Sequence, residues 1–385
     1  MSTNAFDFRT VPSLRVEWGG AARLGQRIAA RFSARRALLV TDAGLVRTGL
    51  VAPVADDLRA NGVSVAIFDA VVADPPEHVL LACAAQGRAH GADLVIGLGG
   101  GSSLDVAKLA AVLLTGTRQT LAEMYGVDRV VGGRLPLVLV PTTAGTGSEV
   151  TNIAILTTGQ TTKMGVVSSR LYADDVLLDA ALTVGLPAIH TAATGIDAMV
   201  HAIEAYTSRH RKNPLSDALA REALRLLSAN LITACRDGAD RAGREGMLLG
   251  AMLAGQAFSN APVAAVHALA YPLGGHHHVP HGLANALMLE PVLRFNARAA
   301  APLYAELADV IGAPDAGGTR ADAFVAGMRA LLDASGAPRR LREVGVTADT
   351  LPRLAADAMR QTRLLVNNPV DVSEADALAL YRQAF

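Results

Sequence analysis

Along the first half of the chain, short continuous apolar runs alternate with stretches in which apolar residues return every three or four positions. The runs at 36–41, 63–68, 93–98 and 135–140 read as strands buried on both faces. Between them, 50–61 (stopped by Gly62), 76–90 and 104–114 carry the helical period. This alternation predicts βαβ units and a parallel sheet covered by helices. A short edge strand is expected at 14–18 and a last strand at 176–178. The stretches 153–157 and 164–168, joined by Thr158-Gly159-Gln160, predict an antiparallel hairpin laid on that sheet. Beyond Pro187 the period changes from two to 3.6. Helices are expected over 190–207, 214–235, 242–258, 262–271, 284–297, 301–311, 321–335, 350–359 and 373–384. The change sets the expected boundary between an α/β domain, 1–185, and an all-helical domain, 186–385.

Composition narrows the class. A chain of 385 residues, 51% apolar and 18% charged, is a buried globular protein of about two domains. Its 35 basic and 35 acidic residues cancel, which gives no electrostatic case for nucleic acid or an anionic membrane. No apolar run approaches the ~20 residues of a membrane span, and no secretion leader is visible. Cys83 and Cys235 sit in apolar helical patterns and read as small hydrophobes in a reducing compartment, so a cytoplasmic protein is expected. The basic residues are nearly all Arg. Lys108, Lys163 and Lys212 therefore mark places where a compact ammonium is called for.

Histidine is unevenly spread, with five of ten falling between His267 and His281. Upstream, Asp197 and His201 are four apart on a predicted helix, which stacks them on one face roughly 6 Å apart along its axis. Such a pair alone is more often a helix-face hydrogen bond. With His267 and His281 at the ends of what reads as a Gly/Pro-rich loop, it becomes a carboxylate–imidazole metal set. Pro280-His281-Gly282 is a loop context that would aim one imidazole. Ligand softness leaves Fe²⁺, Zn²⁺ and Mn²⁺ open.

The glycines Gly99, Gly100 and Gly101, followed by Ser102 and Ser103, lie between a buried strand and a helix. Glycine allows close backbone approach and the helix's first N–H groups point outward, which suits a pyrophosphate. The order is not that of the ordinary dinucleotide fingerprint, because the acid candidate, Asp42, precedes the glycines. Asp42 reads equally as a cap of the next helix. Asp105 is a cofactor candidate that could instead pair with Lys108. The loop from Pro141 to Glu149, with Thr142, Thr143 and Ser148, is a second candidate ligand loop at a strand's C-terminal end.

Taken together, four motifs resemble the iron-containing (group III) alcohol dehydrogenases. They are Gly99-Gly100-Gly101-Ser102 with Asp105 and Lys108, Pro141 to Glu149, Gly195 to Glu204, and His267 with His281-Gly282. The likeness spans nearly the whole chain. It implies a dehydroquinate synthase-like/iron-containing alcohol dehydrogenase fold, with a nucleotide-binding α/β domain, a helical domain and the active site between them. It implies NAD in preference to NADP, and a divalent metal, iron before zinc, held by Asp197, His201, His267 and His281. The same resemblance assigns cofactor roles to Asp42, the loop 99–103, Thr142, Thr143 and Lys163, the last two toward the nicotinamide ribose. A homodimer or higher homo-oligomer is also implied. There is one departure: where many members carry a proton-moving histidine, this chain has Tyr271. His277 is the nominated substitute, unless the run His276-His277-His278 is only a solvated loop; Tyr271 and Lys163 complete the catalytic candidates.

The expected reaction is hydride exchange between NAD(H) and a small or medium primary alcohol or aldehyde. Rivals are a maleylacetate reductase-like keto-acid reductase, a dehydroquinate synthase-like lyase and a non-catalytic metal- and NAD-binding assembly protein. The segment 262–284 contains no Lys or Arg, which disfavours the phosphorylated substrate of the lyase.

Overall fold

The computed structural model describes residues 5–159, 162–315 and 317–385. They pack as two compact units. One comprises Arg9–Thr143 and Gly147–Val184. The other comprises Ala144–Thr146 and Gly185–Phe385, with residues 5–8.

The first unit holds β1 (Leu14–Val16), β2 (Arg36–Val40), β3 (Ser64–Phe68), β4 (Leu94–Gly99), β5 (Gly126–Val127), β6 (Leu137–Pro141), β7 (Ile153–Thr158), β8 (Thr162–Val167) and β9 (Asp175–Leu178). Six of these form one sheet in the order β1-β9-β6-β4-β2-β3. Every pairing in it is parallel. Helices α1 (Leu24–Arg31), α2 (Ala43–Arg47), α3 (Val51–Ala60), α4 (Glu77–His90), α5 (Gly101–Leu113) and α6 (Leu121–Met124) accompany it. The central strands are apolar on both faces because both are covered: Leu94, Val95, Ile96 and Leu98 are all buried, as are Leu137 to Val140.

Strand order decides where a ligand fits. From β2 the chain moves outward to β3, then returns to place β4 on the other side of β2. That reversal opens a crevice beyond the carboxyl ends of β2 and β4, the switch point at which open α/β sheets bind ligands.

The hairpin β7–β8 is antiparallel, as its pattern predicts, but belongs to a separate sheet, where β5 adds to β8 in parallel. It is not laid directly on the main sheet. Its residues Ala154, Leu156 and Val166 are buried, and β7 packs on α5. Gln160 of its turn lies outside the described residues.

The second unit is helical: α7 (Ala188–Thr207), α8 (Pro214–Arg236), α9 (Arg241–Asn260), α10 (Ala265–His277), α11 (His281–Val310), α12 (Arg320–Ser335), α13 (Leu351–Ala358), α14 (Thr362–Leu365) and α15 (Glu374–Ala384). Helix α7 is central and packs against α8, α9 and α11. A helix hydrophobic all round belongs in such a place, and Gly195 to Thr207 is buried without interruption. Two expectations change here. The break at 298–300 is absent, and α11 runs unbroken past Pro291 and Pro302; packing against α7, α8, α12 and α15 outweighs the hydrogen bonds those prolines remove. The Gly/Pro-rich loop expected between His267 and His281 is mostly helix as well. Helix α10 begins three residues later than its predicted start and continues through Pro272 to His277, so His281 opens α11 instead of hanging in a loop. Among the described residues no helix is long and apolar enough to cross a membrane.

Candidate active site

Helix α7 supplies Asp197 and His201, α10 supplies His267 near its start, and α11 supplies His281 as its first residue. The last approach depends on one glycine. A Cβ on Gly282 would stand 2.4 Å from the backbone oxygen of Ala193, so only glycine lets the start of α11 close on α7.

The result is three imidazoles around one carboxylate oxygen. Nε2 of His201, His267 and His281 lies 3.9, 3.7 and 3.7 Å from Asp197 Oδ1. These distances are too long for hydrogen bonds. They suit atoms that share an ion at bonds of ~2.1 Å, whose mutual separation is then ~3.4 Å in a tetrahedral set. Asp197, His267 and His281 present ligand atoms all within 4.8 Å of one another. His267 Nε2 is buried with no hydrogen-bond partner, an omission that costs stability unless something occupies the position. Burial pushes the Asp197 carboxyl up, but the surrounding imidazoles outweigh it and hold the group below its ordinary value. Burial drives His201 down to about 3, against the pull of Asp197. Asp197 is therefore held as a carboxylate and His201 as a neutral ring, the protonation a metal requires of each. The residues fit a divalent ion.

Three neighbours orient this set, and the sequence reading assigned none of them a role. Glu204 Oε2 accepts from His267 Nδ1 at 2.7 Å. Asn285 Nδ2 donates to Asp197 Oδ1 at 2.5 Å. Phe258 stacks on His201 with ring centroids 4.3 Å apart. A signal existed for two of them. Glu204 lies three residues after His201 on α7, and Asn285 four after His281 on α11, so each shares a helix face with a ligand.

The proton-relay candidates separate. The Tyr271 ring lies beside His281, centroids 5.9 Å apart. His277 has its basicity lowered by burial, then by His276 and Arg353, with Asp349 opposing, and none of these belongs to the cluster. His276 is itself paired with Asp357.

In the first unit, the carboxyl ends of adjacent strands carry the nucleotide candidates. Asp42 follows β2, Gly99, Gly100, Gly101, Ser102 and Ser103 lie at the β4–α5 junction, and Thr142 and Thr143 follow β6. Asp42 caps α2, accepting from Leu45 N at 2.9 Å. A Cβ on Gly99 would meet Ser103 Cβ and Oγ at 2.7 Å, so the tight turn requires glycine there. Gly100, the residue before α5, makes no side-chain cap, which leaves the helix's first N–H groups facing outward. Asp105 and Ser148 are otherwise engaged. Ser148 Oγ donates to Asp105 Oδ1 at 2.6 Å, and Ile155 N donates to Asp105 Oδ2 at 2.9 Å. Fully buried Lys108 donates to Ser148 Oγ, Thr151 Oγ1 and the Ile153 carbonyl. Together they tie the 148–155 loop to α5. Lys163 pairs with Asp74 at 2.6 Å.

A parallel sheet open at its switch point, with a histidine–carboxylate cluster in the helical unit, is the arrangement of a metal-dependent, nucleotide-using enzyme. Comparison with known proteins makes the class specific. Residues 12–180 match the family described as iron-containing alcohol dehydrogenase. Residues 191–385 match the Fe-containing alcohol dehydrogenase family, C-terminal. The chain is 41% identical to long-chain-alcohol dehydrogenase 1 of Geobacillus thermodenitrificans, over 97% of this chain and 95% of that one. A solved 1,3-propanediol oxidoreductase superposes with a TM-score of 0.95 at 35% identity, covering 99% of this chain and 100% of the other. A sulfoacetaldehyde reductase from Bifidobacterium kashiwanohense, solved in complex with NAD⁺, gives 0.88 at 28% identity, covering 99% of each chain. The chain belongs to the iron-containing alcohol dehydrogenase family. It is an oxidoreductase acting on CH–OH groups.

Proposed function

We propose that this enzyme interconverts small or medium primary alcohols and aldehydes with NAD as the electron carrier and one divalent metal, iron before zinc. The observation that carries the reading is the convergence of three imidazole Nε2 atoms on Asp197 Oδ1. Asp197, His201, His267 and His281 would hold the metal. Asp42, the loop Gly99 to Ser103, Thr142, Thr143 and Lys163 would hold the nucleotide, while Asp105 and Ser148 would shape its loop. When bound, the two groups supply Lewis-acid polarisation of the substrate oxygen and acceptance of hydride.

The chain's own residues do the rest. Asn285 and Glu204 hold Asp197 and His267 in orientation, and Phe258 packs the His201 ring. Oxidation of an alcohol also releases a proton. Tyr271 is favoured over His277 to carry it, at the phenolic oxygen, because its ring lies beside His281. The absence of Lys and Arg from 262–284 supports a neutral substrate. Asp42 would repel a 2′-phosphate by roughly 2–3 kcal/mol, or about 30- to 150-fold in favour of NAD. A cytoplasmic homo-oligomer completes the reading. It is supported by the two free cysteines and by the edge strand β1, where Val16 is exposed.

The test is a panel of alcohols and aldehydes run with iron- and zinc-loaded enzyme and both nucleotides. NADH should form with primary alcohols. His267→Ala and His281→Ala should lose most metal and nearly all turnover while still binding NAD. Full metal occupancy in both variants, or no NADH from any alcohol, would count decisively against the reading.

A further inference from the structure

Glu204 is buried and carries no Lys or Arg partner among the described ion pairs; only His267 faces it. Its oxygens are taken by three N–H groups. Val266 N donates to Oε1 at 2.7 Å, and Ala264 N donates to Oε2 at 2.8 Å. His267 Nδ1 donates to the same Oε2 at 2.7 Å. Two consequences follow from elementary chemistry. A carboxylate there requires hydrogen on Nδ1, which leaves the Nε2 lone pair bare, and that atom is the buried, unpartnered one aimed at Asp197. The same oxygens also take up backbone donors at the entry of α10, which fixes the place where His267 leaves the chain. Charge points the same way. Asp197 and Glu204 are two buried acids, and no Lys or Arg lies in 262–284. A dication balances the account, reached from Glu204 through the imidazole.

We propose that Glu204 is the positioning residue of the metal centre: it holds His267 in the one tautomer and orientation that can bind a divalent cation, and supplies the second negative charge. This rests on the metal site proposed above. Glutamine has the same shape but cannot serve all three donors. With Oε1 toward His267 its amide nitrogen opposes Val266 N–H, and turned round it opposes Ala264 N–H and favours the wrong tautomer.

The experiment titrates metal-free protein with Zn²⁺ against a competing chelator, for the unmodified chain, Glu204→Gln, His267→Ala and the double variant. Glu204→Gln should weaken Zn²⁺ binding by about 10- to 100-fold. In the His267→Ala background the same change should cost less than about threefold, because its effect passes through that ring. Unchanged affinity in Glu204→Gln, or an equal loss in both backgrounds, overturns the inference while leaving the metal site standing. If His267→Ala itself binds Zn²⁺ normally, the metal site fails and this proposal with it. Should Glu204→Gln not fold, ¹⁵N-histidine spectra of the Zn²⁺-loaded unmodified protein decide. Hydrogen on His267 Nδ1 is expected, and metal on Nδ1 overturns the proposal.

Discussion

Gly282 shows how much one missing methyl group decides. Its would-be Cβ falls 2.4 Å from Ala193 O and 2.8 Å from Ala193 C, backbone atoms that cannot swing aside. Gly282→Ala must push the start of α11 off α7, carrying His281 with it. Site geometry tolerates little such movement. The variant should fold, lose about tenfold or more in metal affinity and lose turnover in step. The check is elemental analysis beside a circular dichroism spectrum; normal metal content in a folded variant contradicts it. By contrast Gly145, whose Cβ would meet the Thr194 side chain at 2.7 Å, shows the same intolerance where α7 approaches the 144–146 segment.

At the scale of elements, α5 and the 148–155 loop are joined by buried charge. Burial pushes Glu149 from 4.5 up to about 7, partly countered by Lys108. Burial likewise pulls Lys108 down to about 8, against Asp105 and Glu149. For Glu149 the folded chain prefers the neutral acid, so its contribution is complete below about pH 4.5 and is lost as the pH rises through about 7. Glu149→Gln is neutral throughout. Relative to the unmodified chain it should gain up to about 3 kcal/mol in stability between pH 5 and 7.5. Urea denaturation at those two pH values measures the difference; parallel pH profiles for the two proteins would show that Glu149 is ionised in the fold. Elements also explain the misplaced loop at the metal site. Helix α10 passes through Pro272 and Gly274-Gly275, residues that read as breakers, because nearly all of its positions are buried by neighbours, α11 and α13 among them.

For the whole molecule, with Asp197, His201, His267 and His281 as the proposed ligands, metal binding and folding of the helical unit would be one equilibrium. These residues come from three helices, and any unfolding of that unit separates them. Free metal at a hundred times its dissociation constant should therefore stabilise the fold by about 2.7 kcal/mol. For a unit of this size that is a rise in Tm of about 5–10 °C. Calorimetry with and without chelator tests it, and His281→Ala should melt at one temperature in both conditions. An identical Tm for the unmodified protein with and without chelator would show that the ion is not linked to the fold.

What the sequence by itself determined is what short-range physics governs. Strand and helix periods, the parallel α/β class of the first half and the shared helix face of Asp197 and His201 all follow from neighbours a few residues apart. The glycine turn before α5 was legible for the same reason, since a close backbone approach is written in the residue itself. What only the tertiary structure decided is which distant groups meet. Residue spacing said that His267 and His281 were available; the approach of α11 to α7 at Gly282 put His281 on Asp197, and the entry of α10, whose backbone N–H groups donate to Glu204, put His267 there. Packing also set Tyr271 beside His281 and gave His277 other neighbours. Tertiary packing likewise turned Asp105 and Lys108 from a helix pair into the anchor of a loop forty or more residues away. Glu204, whose place on the His201 face of α7 was legible, became the partner of the distant His267 only through packing. Such meetings depend on packing summed over whole helices, and no local window of the chain contains it.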